Sequence, residues 1–107
     1  MGERIDKKGG IKAVSDKINV LVVGAGIMGH SIAGVFASYG YPTTLYDPNT
    51  EQLDIAKKLI AGNVQVLKEE GLMTDEGIQN VNDLLVYTDK LEEGAPQAKF
   101  VVEAVPE

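Results

Sequence analysis

The 107-residue sequence predicts an α/β domain: a partial Rossmann fold, with a parallel sheet of about four strands in the order 3-2-1-4 and a helical hairpin between the second and third strands. Three observations carry this. Ile18 to Val23 is an apolar run broken only by Asn19, as in a parallel strand covered on both faces. It leads directly into Gly24-Ala25-Gly26-Ile27-Met28-Gly29, and an acidic residue, Asp47, ends the next apolar run 18 positions beyond Gly29.

The elements follow in order. Residues 1–17 are polar, with Lys7-Lys8-Gly9-Gly10 at the centre and Ile5, Ile11, Ala13 and Val14 as the few apolar members. They are expected to be a flexible N-terminal extension preceding a domain over residues 18–107. After the first strand, apolar residues recur at Ile32, Val35, Phe36 and Tyr39, a helical spacing closed by Gly40. Thr43 to Tyr46 is the second strand, and a strand–helix–strand unit of this kind is right-handed and parallel.

Asn49 is placed to cap a second helix, with Gln52 at its third position as in a capping box. Leu53, Ala56, Ile60, Val64 and Leu67 give that helix one apolar stripe, and Ile55, Leu59 and Val66 broaden it enough to meet two surfaces. It runs to about Glu70 and stops at Gly71, whereupon Thr74-Asp75-Glu76 opens a shorter helix. Leu84 to Tyr87 is the third strand and Phe100 to Val105 the fourth, separated by a turn or short helix around Glu92 to Pro96. A sheet built this far has an open edge through which copies could associate.

The glycines have distinct tasks. Gly24 permits a tight exit from the strand, Gly26 removes a side chain where backbone must approach a pyrophosphate, and Gly29 lets the helix pack closely. A helix opening at Ile27 turns free N–H groups and the positive end of its dipole toward phosphates. Asp47 is positioned to accept hydrogen bonds from the ribose hydroxyls of an adenosine and to repel a 2′-phosphate. The expected cofactor is NAD rather than NADP.

Composition narrows the alternatives. A formal charge of −6 argues against a nucleic-acid surface. No cysteine and a single histidine leave no metal centre to expect. No apolar run approaches a membrane span and the charged N-terminus is unlike a signal peptide, so the cytoplasm is the expected compartment.

From about Lys17 to Glu107 the sequence resembles the N-terminal NAD-binding part of the 3-hydroxyacyl-CoA dehydrogenase family, which includes 3-hydroxybutyryl-CoA dehydrogenases of fatty-acid metabolism. The likeness rests on Val23 to Gly29, Ile32-Ala33 with Phe36-Ala37, Gly40-Tyr41, Leu45-Tyr46-Asp47 and, most specifically, Val102-Glu103-Ala104-Val105-Pro106-Glu107. It implies that Gly24, Ala25, Gly26, Ile27, Met28 and Gly29 line the pyrophosphate, that Asp47 meets the adenine ribose, and that Ala104, Val105 and Glu107 lie along the nicotinamide ribose. It also implies a coenzyme A contact of an acyl-CoA substrate at Asn63 and near Lys68, although Glu69 and Glu70 oppose a phosphate there. The family's catalytic histidine, its partner glutamate, and the serine and asparagine that bind the substrate carbonyl lie downstream of the motif ending at Glu107. No catalytic residue is therefore expected within this chain, which should bind NAD without turnover.

His30 falls in the first helical turn, where a solvent-facing or phosphate-side position is expected rather than a general base. Two other functions fit the glycine fingerprint: a stand-alone, non-catalytic nucleotide-binding or regulatory module, and a flavin-binding half-domain.

Overall fold

The structure is a computed structural model of the chain and describes residues 3–5, 11–13 and 18–104. Strands β1 (Glu3–Ile5) and β2 (Ile11–Ala13) pair antiparallel, Ile5 opposite Ile11, and form a sheet of their own. These two short segments lie within the stretch expected as an N-terminal extension.

The main sheet comprises β3 (Val20–Val23), β4 (Thr43–Tyr46), β5 (Leu85–Thr88) and β6 (Phe100–Glu103), in the order β5-β4-β3-β6 with every pair parallel. This is the expected 3-2-1-4 arrangement. β4 coincides with its expected run, β5 is displaced by one residue because Leu84 still belongs to the helix before it, and β3 and β6 are shorter than the apolar runs that announced them. At the first, Asn19 O accepts the Lys99 and Phe100 amides at 2.9 and 3.3 Å, so the chain is tied to the approach to β6 before regular pairing begins.

Helix α1 (Ile27–Ser38) connects β3 to β4, and α2 (Thr50–Glu69) with α3 (Asp75–Leu84) forms the hairpin between β4 and β5. Local chemistry sets each boundary. Asn49 Oδ1 accepts the Glu51 amide at 2.9 Å to start α2, and Thr74 Oγ1 accepts the Gly77 amide at 3.0 Å to start α3. Between them Gly71, at φ +75°, lets the Leu72 amide reach back to Leu67 O at 2.8 Å, a Schellman closure.

Strand register sorts the side chains. Val20, Val22, Leu45, Leu85 and the half-buried Tyr87 share the face covered by α1, α2 and α3, where Ala33, Ala37, Leu53, Ala56, Ile60 and Val81 complete the core. Burial raises the Tyr87 phenol above its ordinary pKa, and the Lys57 ammonium lies 5.1 Å from its ring centroid.

The opposite face has a lighter cover. A short α4 (Leu91–Gly94) and a 3₁₀ turn (Ala95–Gln97) lie across it. A Cβ on Gly94 would stand 3.1 Å from side-chain methyl groups of both Leu21 and Thr44, so a larger residue here would require those side chains to give by a few tenths of an ångström. Thr88 Oγ1 fastens α4 by donating to Glu93 Oε1 at 2.6 Å. Val86 and Val101 on this face remain exposed, as do Ile55, Leu59 and Val66 on α2, whose second apolar surface meets no element among the described residues.

Leu45 is completely buried at the centre of the larger core. Leu45→Ala is expected to cost about 2–5 kcal/mol of unfolding free energy, measured by urea denaturation followed by circular dichroism.

Candidate functional site

The turn from β3 into α1 lies at the carboxyl end of the sheet, where β3 has β4 on one side and β6 on the other. Connections leave in opposite directions at such a point, opening a crevice above the strands. Gly24 makes the turn at φ +106°, a left-handed conformation that side-chain-bearing residues resist, and its amide donates to Tyr46 O at 2.7 Å. On the other flank the Ala104 amide donates to Val23 O at 2.8 Å, so Ala104 borders the same crevice.

The other two motif glycines do different things. A Cβ on Gly29 would fall on the carbonyl oxygen of Gly24 and lie 3.6 Å from the Ala104 Cβ, so this glycine is required by the fold. A Cβ on Gly26 would meet nothing within 4 Å. Among the described residues, then, a side chain at Gly26 is not excluded by packing, and the fold itself does not require this glycine. Ile27 and Met28 beside it are 82% and 68% exposed, and α1 has no side-chain cap and no acidic residue in its first turn. The first intrahelical donor is His30 N, to Gly26 O at 3.0 Å, so the amides of Ile27, Met28 and Gly29 precede the helical ladder. Bare backbone, uncapped amides and a positive dipole end fit the diphosphate of a dinucleotide.

Asp47 stands beside this loop at the end of β4. Its Oδ2 accepts the Ala25 amide and its Oδ1 the Asn49 amide, both at 2.9 Å, while its own amide donates to Thr88 O at 3.2 Å. A carboxylate offers about four acceptor positions, so two main-chain bonds leave capacity for ribose hydroxyls. Ala25 itself is buried and its N–H is committed to Asp47. Its contribution to the loop is through that bond.

His30, expected at a solvent-facing or phosphate-side position, is not solvent-facing. It is 5% exposed, its ring turned inward with Nδ1 2.9 Å from Gly26 O and Nε2 3.5 Å from Asn63 Nδ2. The expectation of a solvent-facing side chain is corrected. A signal for this was present: His30, Ala33 and Ala37 fall at helical spacing on one stripe, and that stripe faces the sheet.

Asn63 and Lys68 come from the outer half of α2. Five positions apart, they point about 140° from one another around the helix. Asn63 lies in a groove of about 260 Å³ between α1 and α2, with His30 and Ser31 at its polar end and Val35, Ile60, Val64 and Leu67 along its walls. Lys68 Nζ pairs with Asp75 at 3.2 Å across the hairpin. Val105 and Glu107 lie outside the described residues. Among the described residues no cluster of acidic or histidine side chains could hold a metal, and no helix is long and apolar enough to cross a membrane.

Comparison with known proteins agrees with this geometry. Residues 19–107 match the family described as 3-hydroxyacyl-CoA dehydrogenase, NAD binding domain. An L-carnitine dehydrogenase of Streptomyces griseus is 36% identical over 89% of this chain and 27% of its own length. A probable 3-hydroxybutyryl-CoA dehydrogenase of Bacillus subtilis is 32% identical over 82% of this chain and 30% of its own. The crystal structure of 3-hydroxybutyryl-CoA dehydrogenase from Escherichia coli superposes with a TM-score of 0.77 at 31% identity, covering 87% of this chain and 20% of that one. The chain thus spans less than a third of the length of these relatives. The match to an NAD-binding family decides for a nicotinamide over a flavin dinucleotide.

The two glycines separate folding from binding. Gly26→Val is expected to keep the circular dichroism spectrum and to abolish dinucleotide binding in a calorimetric titration. Gly29→Ala is expected to lower stability by ~3 kcal/mol or more, because backbone rather than a mobile side chain must move. An unfolding curve measures it.

Proposed function

This chain belongs to the 3-hydroxyacyl-CoA dehydrogenase family as its NAD-binding domain, and on that premise we propose that it serves oxidation of a 3-hydroxyacyl-CoA to the 3-oxo thioester. NAD, when bound, accepts the hydride. The remaining work attributed to this chain is positioning. The amides of Ile27, Met28 and Gly29 receive the diphosphate over the open space at Gly26, and the Asp47 carboxylate accepts the adenosine ribose hydroxyls. Ala104, with Val105 and Glu107 beyond it, borders the nicotinamide ribose.

The observation that carries this reading is the contrast between Gly26, where a side chain would enter empty space, and Gly29, where it would strike backbone. The chemistry needs a general base for the substrate hydroxyl, and His30 is unsuited to it. Its Nδ1 faces a main-chain carbonyl and its Nε2 an amide of α2. The chain alone is accordingly read as binding NAD without turnover, and a non-catalytic nucleotide-binding module remains the alternative in which no further portion acts. Fatty-acid metabolism in the cytoplasm is the setting that suits the first reading. Self-association through the edge of β6 suits the exposed Val101 and Phe100 there.

A second substrate class has a specific observation in its favour. Lys68 is engaged by Asp75 and flanked by Glu69 and Glu70, a poor setting for a coenzyme A phosphate. The Streptomyces griseus relative, named an L-carnitine dehydrogenase, is named for a substrate with no coenzyme A. A free 3-hydroxy acid is the substrate under this reading.

Titration calorimetry tests both halves. Asp47→Ala is expected to weaken NAD about tenfold or more, the scale of one hydrogen-bonded charge, and to narrow the preference over NADP. An unchanged preference removes Asp47 from the site. Asp47→Asn, which keeps an acceptor and loses the charge, is expected to recover part of the NAD affinity and none of the discrimination. For the substrate, Lys68→Ala is expected to weaken acetoacetyl-CoA several-fold if coenzyme A lies along α2; equal binding by both proteins favours the free acid.

A further inference from the structure

We propose that His30 is a positioning residue for the cofactor: its ring holds the Gly26 carbonyl and thereby aims the Ile27 amide at the diphosphate. The proposal rests on the placement of the diphosphate at the Gly24–Gly29 loop, argued above.

The bond itself fixes the state of the ring. A carbonyl oxygen cannot donate, so the 2.9 Å contact between His30 Nδ1 and Gly26 O requires the proton on Nδ1. Nε2 is then the bare nitrogen, and the Asn63 amide Nδ2 approaches it from α2 at 3.5 Å. Both nitrogens have a partner, and the ring is buried beneath the first turn of α1. Gly26 O also accepts the His30 main-chain N–H at 3.0 Å, so one residue grips the same oxygen twice.

The consequence follows from the planarity of the peptide. Gly26 C=O and Ile27 N–H belong to one rigid trans unit and point in opposite directions. Fixing the oxygen into the helix fixes the Ile27 N–H outward, away from the helical ladder. Gly26 is the residue least able to hold that orientation unaided, since it has no side chain and α1 has no side-chain cap. An ordinary N-cap supplies a side-chain acceptor for these amides, which would compete with a phosphate. A donor from below, acting on the carbonyl, orders the loop and leaves the amides available.

The test uses two near-isosteres. His30→Asn carries an amide nitrogen near the place of Nδ1, whereas His30→Gln extends its amide toward the place of Nε2. Affinity for NAD is expected to stay within about twofold of wild type for His30→Asn and to fall about tenfold for His30→Gln, the scale of one lost hydrogen bond. Because His30 is the only histidine, the long-range ¹⁵N–¹H spectrum of the wild-type imidazole reads its tautomer without assignment. It should show a protonated Nδ1 and a bare Nε2, with the Ile27 amide resonance moving on addition of NAD. A wild-type ring protonated on Nε2 alone overturns the proposal, whether or not the variants fold. Wild-type protein that binds NAD, with His30→Gln binding equally well, overturns it while leaving the loop assignment standing. Wild-type protein that binds no NAD removes the loop assignment and this proposal with it.

Discussion

Between Val23 and Ile27 the chain must cease to be a strand and become a helix within three residues, and the turn closes only if two stretches of backbone touch. Gly24 takes the left-handed conformation, and Gly29, one helical turn into α1, rests against the Gly24 carbonyl with no room for a methyl group. This contact sets the height of α1 above the sheet. With the first turn so low, only small side chains fit beneath the rest of the helix, and Ala33 and Ala37 are fully buried there. His30 is the one large residue on that stripe, and it is accommodated because its ring turns toward the loop instead of the strands.

Asp47 then links the loop to the neighbouring strand. Its two oxygens hold the Ala25 amide on one side and the Asn49 amide at the head of α2 on the other. One carboxylate thus joins three elements. Under the ribose-binding role proposed for it, coenzyme preference is coupled to loop order, and a residue chosen for a 2′-phosphate would also have to replace two main-chain contacts.

The parts legible in the sequence were those with a one-dimensional signature. Apolar runs gave four strands, the glycine spacing located the loop, Asn49 and Thr74 marked helix starts, and Gly71 the hairpin turn. Strand limits were less legible, because Ile18 and Asn19 look like strand but the Asn19 carbonyl is taken by the Lys99 and Phe100 amides on the approach to β6. The two roles of Gly26 and Gly29 could be named from the motif. That a side chain at the first would meet nothing among the described residues, while at the second it would strike backbone, is a fact of distance alone. His30 was misplaced because a polar residue near a helix start invites a solvent-side reading, although its periodicity with Ala33 and Ala37 pointed inward. The breadth of the apolar surface on α2 was legible as composition, but the second surface it was expected to meet is not found among the described residues. What covers it is not written in periodicity, and Ile55, Leu59 and Val66 stand exposed.

Helix α2 is 20 residues long while each strand beneath it has four, about 30 Å against about 13 Å. Its outer half therefore overhangs the sheet as a cantilever, braced by α1 and tied to the start of α3 by the Lys68–Asp75 pair. The last buried residue of the helix is Ile60. Asn63, one turn further on, sets its amide 3.5 Å from the His30 ring, so the place where the seated half gives way to the overhang is also where α2 reaches the residue beneath the glycine loop.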